Sequence, residues 1–184
     1  VQSKTIFFDL DGVLNTFGDD FISYVKYYYK NSVWEKSPYG YDLSKWFHTE
    51  GNHERHHTTT VFSDPLFWRN LHKNNKIYTE MEEMDLYSKH FVYVCTLPFG
   101  WSFCPSEKEE WLKRNYPKIN TNTDIVMLRD KHLLASNGIL IDDSPDNIRK
   151  FMNAGGEAYL YKTFYNYKED LPKIRSLHEL EEYL

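Results

Sequence analysis

The chain alternates short apolar runs with stretches whose apolar residues recur every three or four positions. Residues 4–10 read KTIFFDL, and the same grammar returns at 90–96 (HFVYVCT), 124–128 (DIVML), 138–143 (GILIDD) and 157–161 (EAYLY). Runs that stay apolar through both alternating sets of positions predict strands buried on both faces, as in a parallel sheet. Between them, Phe21, Ile22, Val25, Tyr28 and Tyr29 share one helical face, as do Ile77, Met81 and Met84. Capping signals agree with that reading. Ser106 with Glu109 predicts a capping box, and Ser144, Pro145 and Gly155 predict the N-cap, first-turn proline and terminal glycine of a further helix. A last helix is expected over SLHELEEYL, with Leu177, Leu180 and Leu184 on one side.

Strand and helix in alternation predict an α/β fold: a Rossmann-like core with a mostly parallel sheet flanked by helices, its ligands at the carboxyl ends of the strands. From about residue 31 to 75 the rhythm breaks into a stretch rich in Tyr, Trp, His, Gly and Thr without a strand pattern. Residues 1–17 and 76–184 are therefore expected to form the core, and 18–75 a small, mainly helical cap inserted after the first strand and covering the site.

Length and charge narrow the picture. The 184 residues suit one domain, or a core with a small insert, and a net charge of −5 leaves no basic face for long nucleic acids. The two cysteines, Cys95 and Cys104, are too few for a disulfide framework and fit a reducing compartment. No basic-then-apolar leader and no apolar run of membrane-spanning length is visible, so the expected location is the cytoplasm, away from membranes. Assembly as a homodimer is left open.

The chemistry concentrates where apolar runs end. In FFDLDGVLN (7–15) Asp9 and Asp11 bracket Leu10, and alternation lets both carboxylates face one substrate. Carboxylates so close raise each other's pKa, which allows one to be an ionised nucleophile while the other holds a proton. Taken alone, the motif reads equally well as an acidic turn capping the next helix. A second pair, Asp142 and Asp143 in LIDDSPDN (140–147), ends another run. Four carboxylates at neighbouring strand ends call for a hard divalent cation, and oxygen ligands suit Mg2+. Thr96 after FVYVC offers a hydroxyl and nearby backbone N–H groups, and Lys131 in LRDKHLL offers a point charge for a phosphoryl oxygen. HERHH (53–57) fits the zinc-protease pattern H-E-x-x-H, but Gly51 and Asn52 before it and Thr58, Thr59 and Thr60 after it predict a solvated segment rather than a helix presenting two ligands.

The order Asp-x-Asp-Gly, Thr, Lys, Asp-Asp, each after a hydrophobic strand, resembles the haloacid dehalogenase (HAD) superfamily. Within it the chain looks like the 5′(3′)-deoxyribonucleotidases, through DLDGVLNTF (9–17), LFWRNL (66–71), FVYVCTLP (91–98), CPSEKEEW (104–111), LRDK (128–131) and LIDD (140–143). The resemblance implies a magnesium-dependent phosphomonoester hydrolase acting on a small phosphate, in particular a nucleoside monophosphate. Asp9 would become an aspartyl phosphate, and Asp11 would protonate the leaving oxygen and then activate water. Asp9, the Asp11 carbonyl, Asp142 and Asp143 would hold Mg2+, one of the last two through water. Thr96, the Leu97 backbone and Lys131 would hold the phosphoryl group. Phe17 and Phe62 match family pocket aromatics, and Trp46 and Phe47 fall near others. Two departures stand out: Leu97 occupies a position where the family has Ser, and Lys131 lies one residue farther from the acidic pair. The alternatives are a HAD phosphatase for another metabolite and a nucleotide-binding relic without turnover.

Overall fold

The computed structural model describes residues 3–29, 33–34, 40, 42–43, 46–48 and 54–184, with the side chains of 33–34, 47–48 and 54–57 outside the description. In chain order the elements are β1 (Thr5–Phe8), α1 (Phe17–Tyr28), β2 (Val33–Trp34), β3 (Phe47–His48), α2 (Glu54–Phe62), α3 (Pro65–Arg69), α4 (Asn75–Glu83), α5 (Leu86–Lys89), β4 (Phe91–Thr96), α6 (Cys104–Asn115), β5 (Ile125–Met127), β6 (Ile139–Asp142), α7 (Pro145–Asn153), β7 (Glu157–Tyr161) and β8 (Lys173–Ile174). One-turn 3-10 segments cover Lys131–Leu134 and Leu177–Leu180.

Six strands form one parallel sheet in the order β5-β4-β1-β6-β7-β8. All five apolar runs read from the sequence are strands in it; β8, two residues long, is the addition. Period-2 alternation divides the interior into two layers. Ile6, Phe8, Val94 and Ile141 enter a large core with Leu14, Trp111 and Tyr116, while Phe7, Cys95 and Leu140 enter a smaller one with Ile148 and Phe151. Each fully buried aliphatic or aromatic side chain contributes about 1.5–3 kcal/mol, so the central strands hold the sheet. The chain moves from β1 outward to β4 and β5, then crosses to β6 on the other side of β1. The crevice of such a sheet opens at that reversal, at the carboxyl ends of β1, β4 and β6.

Several local expectations hold and several do not. Ser144 caps α7 by accepting from Asn147 N–H, Pro145 opens it, and Gly155 follows it at φ +84°. Phe21, Ile22 and Val25 are buried on α1, but Tyr28 is 57% exposed. The capping box at Ser106 does not form, because α6 begins earlier, at Cys104, and the Ser106 hydroxyl turns back to donate to the Phe103 carbonyl at 2.8 Å. The expected last helix is only a 3-10 turn over Leu177–Leu180, although Ser176 and Glu179 do take up N–H groups of His178 and Arg175.

The stretch between α1 and α4 also departs from expectation in two places. It holds a two-residue antiparallel pairing, β2 with β3, where no strand was predicted. The His-rich segment does enter a helix, α2, whose Val61 is buried against the aromatic core, an instance of packing overriding weak helix propensity. His53 and the side chains of residues 54–57 lie outside the described residues. The chain leaves and rejoins the sheet region at adjacent points: Thr16 N–H donates to the His72 carbonyl at 2.9 Å and Asn74 N–H to the Leu14 carbonyl at 2.9 Å. Among the described residues no helix is long and apolar enough to cross a membrane.

Candidate active site

β1 ends at Phe8, and the next residue, Asp9, is anchored to the neighbouring strand through its N–H to the Ile141 carbonyl (2.9 Å). The chain then makes a wide turn over Leu10–Leu14, closed by Asn15 N–H to the Leu10 carbonyl at 3.1 Å. Gly12 sits in this turn at φ +82°, where a β-carbon would lie 2.0 Å from Asp143 Oδ2. Only glycine permits both the conformation and the approach of that carboxylate. Asn15, buried, ties the turn together: its Oδ1 accepts from Gly12 N–H and Phe17 N–H, both at 3.1 Å, and its Nδ2 donates to Asp11 Oδ1 at 3.0 Å. Asp9 and Asp11 are each 5% exposed.

At the end of β6, Asp142 and Asp143 are fully buried. Asp142 is saturated with donors: Ser144 N–H at 2.8 Å on Oδ1, and Lys131 Nζ at 2.7 Å and Asn147 Nδ2 at 3.0 Å on Oδ2. Asp143 differs. Its Oδ2 accepts from the Tyr165 hydroxyl, whereas its Oδ1 is buried without a hydrogen-bond partner. Lys131, itself buried, also reaches Asp9 Oδ1 at 2.8 Å and so bridges the two strand ends. Asp9, Asp142 and Asp143 offer carboxylate oxygens within 4.8 Å of one another.

Such crowding has an electrostatic signature. Burial, then the Asp142 and Asp11 charges, push Asp9 up to about 7 against the opposing pull of Lys131. Burial and the charges of Asp9 and Asp142 raise Asp143 well above the ordinary carboxylate range. For Lys131 burial works against the charge, but Asp142 and Asp9 outweigh it and raise its pKa. Fully ionised, Asp9, Asp142 and Asp143 would hold more negative charge than Lys131 balances, which is the condition a divalent cation relieves.

The third strand end belongs to β4, where Thr96 is fully buried. Its hydroxyl accepts from Lys108 Nζ at 2.9 Å, and the same ammonium donates to Asp11 Oδ2 at 2.5 Å and to the Leu97 carbonyl at 2.9 Å. Lys108 is 1% exposed and lies 5.0 Å and 5.1 Å from the ring centres of Phe99 and Trp68. A cavity of about 360 Å3 opens over this group, lined by Asp9, Asp11, Leu97, Phe99, Arg129, Lys131, Asp146 and Lys150 among others.

The structure thus brings together Asp9, Asp11, Thr96, Leu97, Lys131, Asp142 and Asp143. The pocket aromatics are placed differently. Among the described residues Phe99 is the aromatic one lining the cavity; Phe62 and Trp68 pack against it at 5.1 Å and 4.9 Å, and Phe17, 3% exposed, packs in turn against Phe62 and Trp68. Trp46 does not line the cavity and is fully buried against Phe21, Phe164 and Tyr165. Phe47 contributes backbone to β3, but its side chain lies outside the described residues.

Sequence reading missed Lys108, Asn15, Phe99 and Tyr165. A signal for Lys108 was available: Cys104, Trp111 and Leu112 are the buried face of α6, and position 108 falls on that face, so a lysine there is buried and must find anionic partners.

Solved structures that superpose on this chain include haloacid dehalogenase-like hydrolases. One from Streptococcus pneumoniae superposes with a TM-score of 0.66 over 99% of both chains at 17% identity. The HAD-hydrolase YfnB of Bacillus subtilis gives 0.59 over 100% of this chain and 99% of its own, at 14% identity. In sequence, the 5′(3′)-deoxyribonucleotidase of Clostridium acetobutylicum is 25% identical over 170 residues, 92% of this chain and 88% of that protein. The 5′(3′)-deoxyribonucleotidase of Bacillus subtilis is 28% identical over 150 residues, 82% of this chain and 81% of its own. The profile of the family described as 5′ nucleotidase, deoxy (Pyrimidine), cytosolic type C protein matches residues 3–184, and the chain, with its carboxylates at three neighbouring strand ends, belongs to that family.

Proposed function

We propose that the protein is a magnesium-dependent phosphatase of nucleoside monophosphates, a 5′(3′)-deoxyribonucleotidase working through an aspartyl phosphate on Asp9. The observation that carries the reading is the buried trio Asp9, Asp142 and Asp143, the first two bridged by Lys131, beside Asp11. The donor set fits magnesium: all oxygens, crowded enough to raise two carboxyl pKa values, with Asp143 Oδ1 buried and unpartnered. That vacancy in hydrogen bonding favours Asp143 as the direct ligand, with Asp9 and the Asp11 carbonyl, and leaves Asp142, already holding three donors, to act through water. When bound, the cation neutralises the carboxylates and the phosphoryl oxygens so that two anions can meet.

Asp9 then attacks phosphorus in line, held by Leu10 N–H (2.7 Å) and Lys131 at Oδ1. Asp11 gives its proton to the leaving alkoxide and afterwards takes one from the water that cleaves the acyl phosphate. Asn15 and Lys108 fix both oxygens of Asp11 in place for the two transfers. Lys131, Lys108, the Thr96 hydroxyl and the Leu97 backbone surround the phosphoryl oxygens. Residues 18–75 act as the cap that closes over the leaving nucleoside, and Phe99 gives its base a ring to rest on. We assign the enzyme to the cytoplasm, since its two unpaired, buried cysteines suit a reducing compartment.

The test is phosphate release by the purified protein with Mg2+ across a panel of nucleoside monophosphates, sugar phosphates and para-nitrophenyl phosphate. A highest kcat/KM on deoxyribonucleotides is expected. Preference for a sugar phosphate over every nucleotide would leave the phosphatase and remove the nucleotidase; no release from any ester would remove both.

A further inference from the structure

Tyr165 lies outside every motif that marks the chemistry, yet it touches both the cation-holding carboxylate and the insert. Its hydroxyl donates to Asp143 Oδ2, and its side chain is almost completely buried. The loop that carries it, just after β7, is pinned to the sheet by Asn166, whose Nδ2 donates to the Asp143 carbonyl at 2.8 Å and to the Tyr161 carbonyl at 2.9 Å. On its other side the Tyr165 ring lies 5.0 Å from the ring of Trp46, and its carbonyl accepts from Gly40 N–H at 3.0 Å. Trp46 Nε1 in turn donates to the Gly40 carbonyl at 3.2 Å. A β-carbon on Gly18, in the first turn of α1, would stand 2.7 Å from the Tyr165 ring, so the insert approaches this residue as closely as a backbone can.

A carboxylate that must present one oxygen to a cation has to have its plane fixed, and the residue that fixes it takes the other oxygen. Asp142 has Lys131, Asn147 and the Ser144 N–H for that purpose. For Asp143 the side-chain donor is Tyr165, and the oxygen left over is the unpartnered Oδ1. We infer that Tyr165 is a positioning residue that orients Asp143 toward the divalent cation and, because its ring and carbonyl also hold Trp46 and Gly40, couples cation binding to seating of the insert. The coupling is reciprocal: whatever a seated insert adds to cation affinity, a bound cation returns to the insert. The inference rests on the magnesium-dependent reading of the site.

Calorimetric titration of the substrate-free protein with Mg2+ alone tests it, using Tyr165→Phe, which keeps the ring and removes the hydroxyl. Loss of such an orienting bond is expected to weaken Mg2+ about tenfold or more. Hydrogen exchange of the Gly40 amide, which donates to the Tyr165 carbonyl, supplies the second readout. Mg2+ should slow it in the wild type and slow it less in Tyr165→Phe. Trp46→Phe approaches from the insert side and should also weaken Mg2+, carrying the test if Tyr165→Phe fails to fold. An unchanged Kd in Tyr165→Phe overturns the positioning role while active wild type keeps the phosphatase reading. Equal magnesium protection in wild type and Tyr165→Phe, or an unchanged Kd in Trp46→Phe, overturns the coupling. A wild type that binds no Mg2+ overturns both this inference and the function on which it rests.

Discussion

The strand ends and the insert are built by different means. At the strand ends every functional group is fixed by directional bonds: Asp9 by Leu10 N–H and Lys131, Asp11 by Asn15 and Lys108, Asp142 by three donors. Where the insert meets the core, the described residues pack rings against rings, from Phe62 through Phe17 and Phe21 to Trp46. Directional bonds specify atoms to within a few tenths of an ångström, whereas aromatic packing specifies volume and tolerates rearrangement. On the proposed function, chemistry belongs to the strand ends and substrate choice to Phe99 at the cavity with the insert rings packed behind it. Perturbing the two should therefore produce different kinds of loss.

The largest expected effect is at Asp9. Asp9→Asn keeps the shape but removes the nucleophile, so phosphate release should become undetectable while the circular dichroism spectrum is unchanged. Retained turnover in a contamination-free preparation would refute the covalent mechanism. Next come the two groups around the proton transfers. Asp11→Asn should lower kcat about 10²–10⁴-fold, the usual worth of a general acid/base. Lys108→Met should lower it too, with a changed pH–rate profile, because Asp11 loses its partner at Oδ2. A Lys108→Met enzyme with normal kcat and an unshifted profile would reduce this lysine to a structural ion pair.

The same contrast explains what could be read without coordinates. Asp9, Asp11, Asp142 and Asp143 were visible because their pairs end apolar runs, and β-strands of a parallel sheet must deliver their C-terminal residues to one edge; Thr96 and Lys131 were visible only through their order and spacing with the aspartates. The Ser144–Pro145–Gly155 grammar of α7 was legible for a similar reason, since capping is local. Lys108 was hidden because its partners lie 97 and 12 residues away in sequence, and only its position on the buried face of α6 betrayed it. β8 and the β2–β3 pair were missed because two-residue strands have no period to detect. The Ser106 capping signal misled because Pro105, which favours the first turn, starts the helix before the serine can cap it.

A smaller and more selective effect should separate the two aromatic layers. Phe99 lines the cavity, so Phe99→Ala should raise KM for nucleoside monophosphates and spare para-nitrophenyl phosphate, with little change in melting temperature. Phe17 is buried among Phe21, Phe62, Phe67 and Trp68, so Phe17→Ala should cost about 3–5 kcal/mol of stability and depress both substrates together. The reverse pattern, a nucleotide-selective loss at Phe17 with normal stability, would mean that the cap opens to admit the base to the inner layer.

The smallest effect is a pH dependence that belongs to the strand ends alone. In the folded, cation-free protein Asp9 titrates near 7 and Asp143 well above its ordinary value, whereas both would titrate near 3.8 in the unfolded chain. The folded state therefore holds protons that the unfolded state releases, and the associated stability is present at low pH and lost as pH rises from about 4 through 7. Asp9→Asn carries a neutral amide at every pH and escapes its share of that loss. In chelator, the melting temperature of Asp9→Asn should match the wild type near pH 4 and exceed it by several degrees near pH 8. Magnesium binds the ionised carboxylates of the wild type and should narrow the gap, more strongly at pH 8 than at pH 5. Calorimetric scans of both proteins, with and without Mg2+, read this directly. A gap that shrinks with rising pH in chelator would show that Lys131 satisfies the carboxylates unaided, and that the strand ends need no cation to tolerate their own charge.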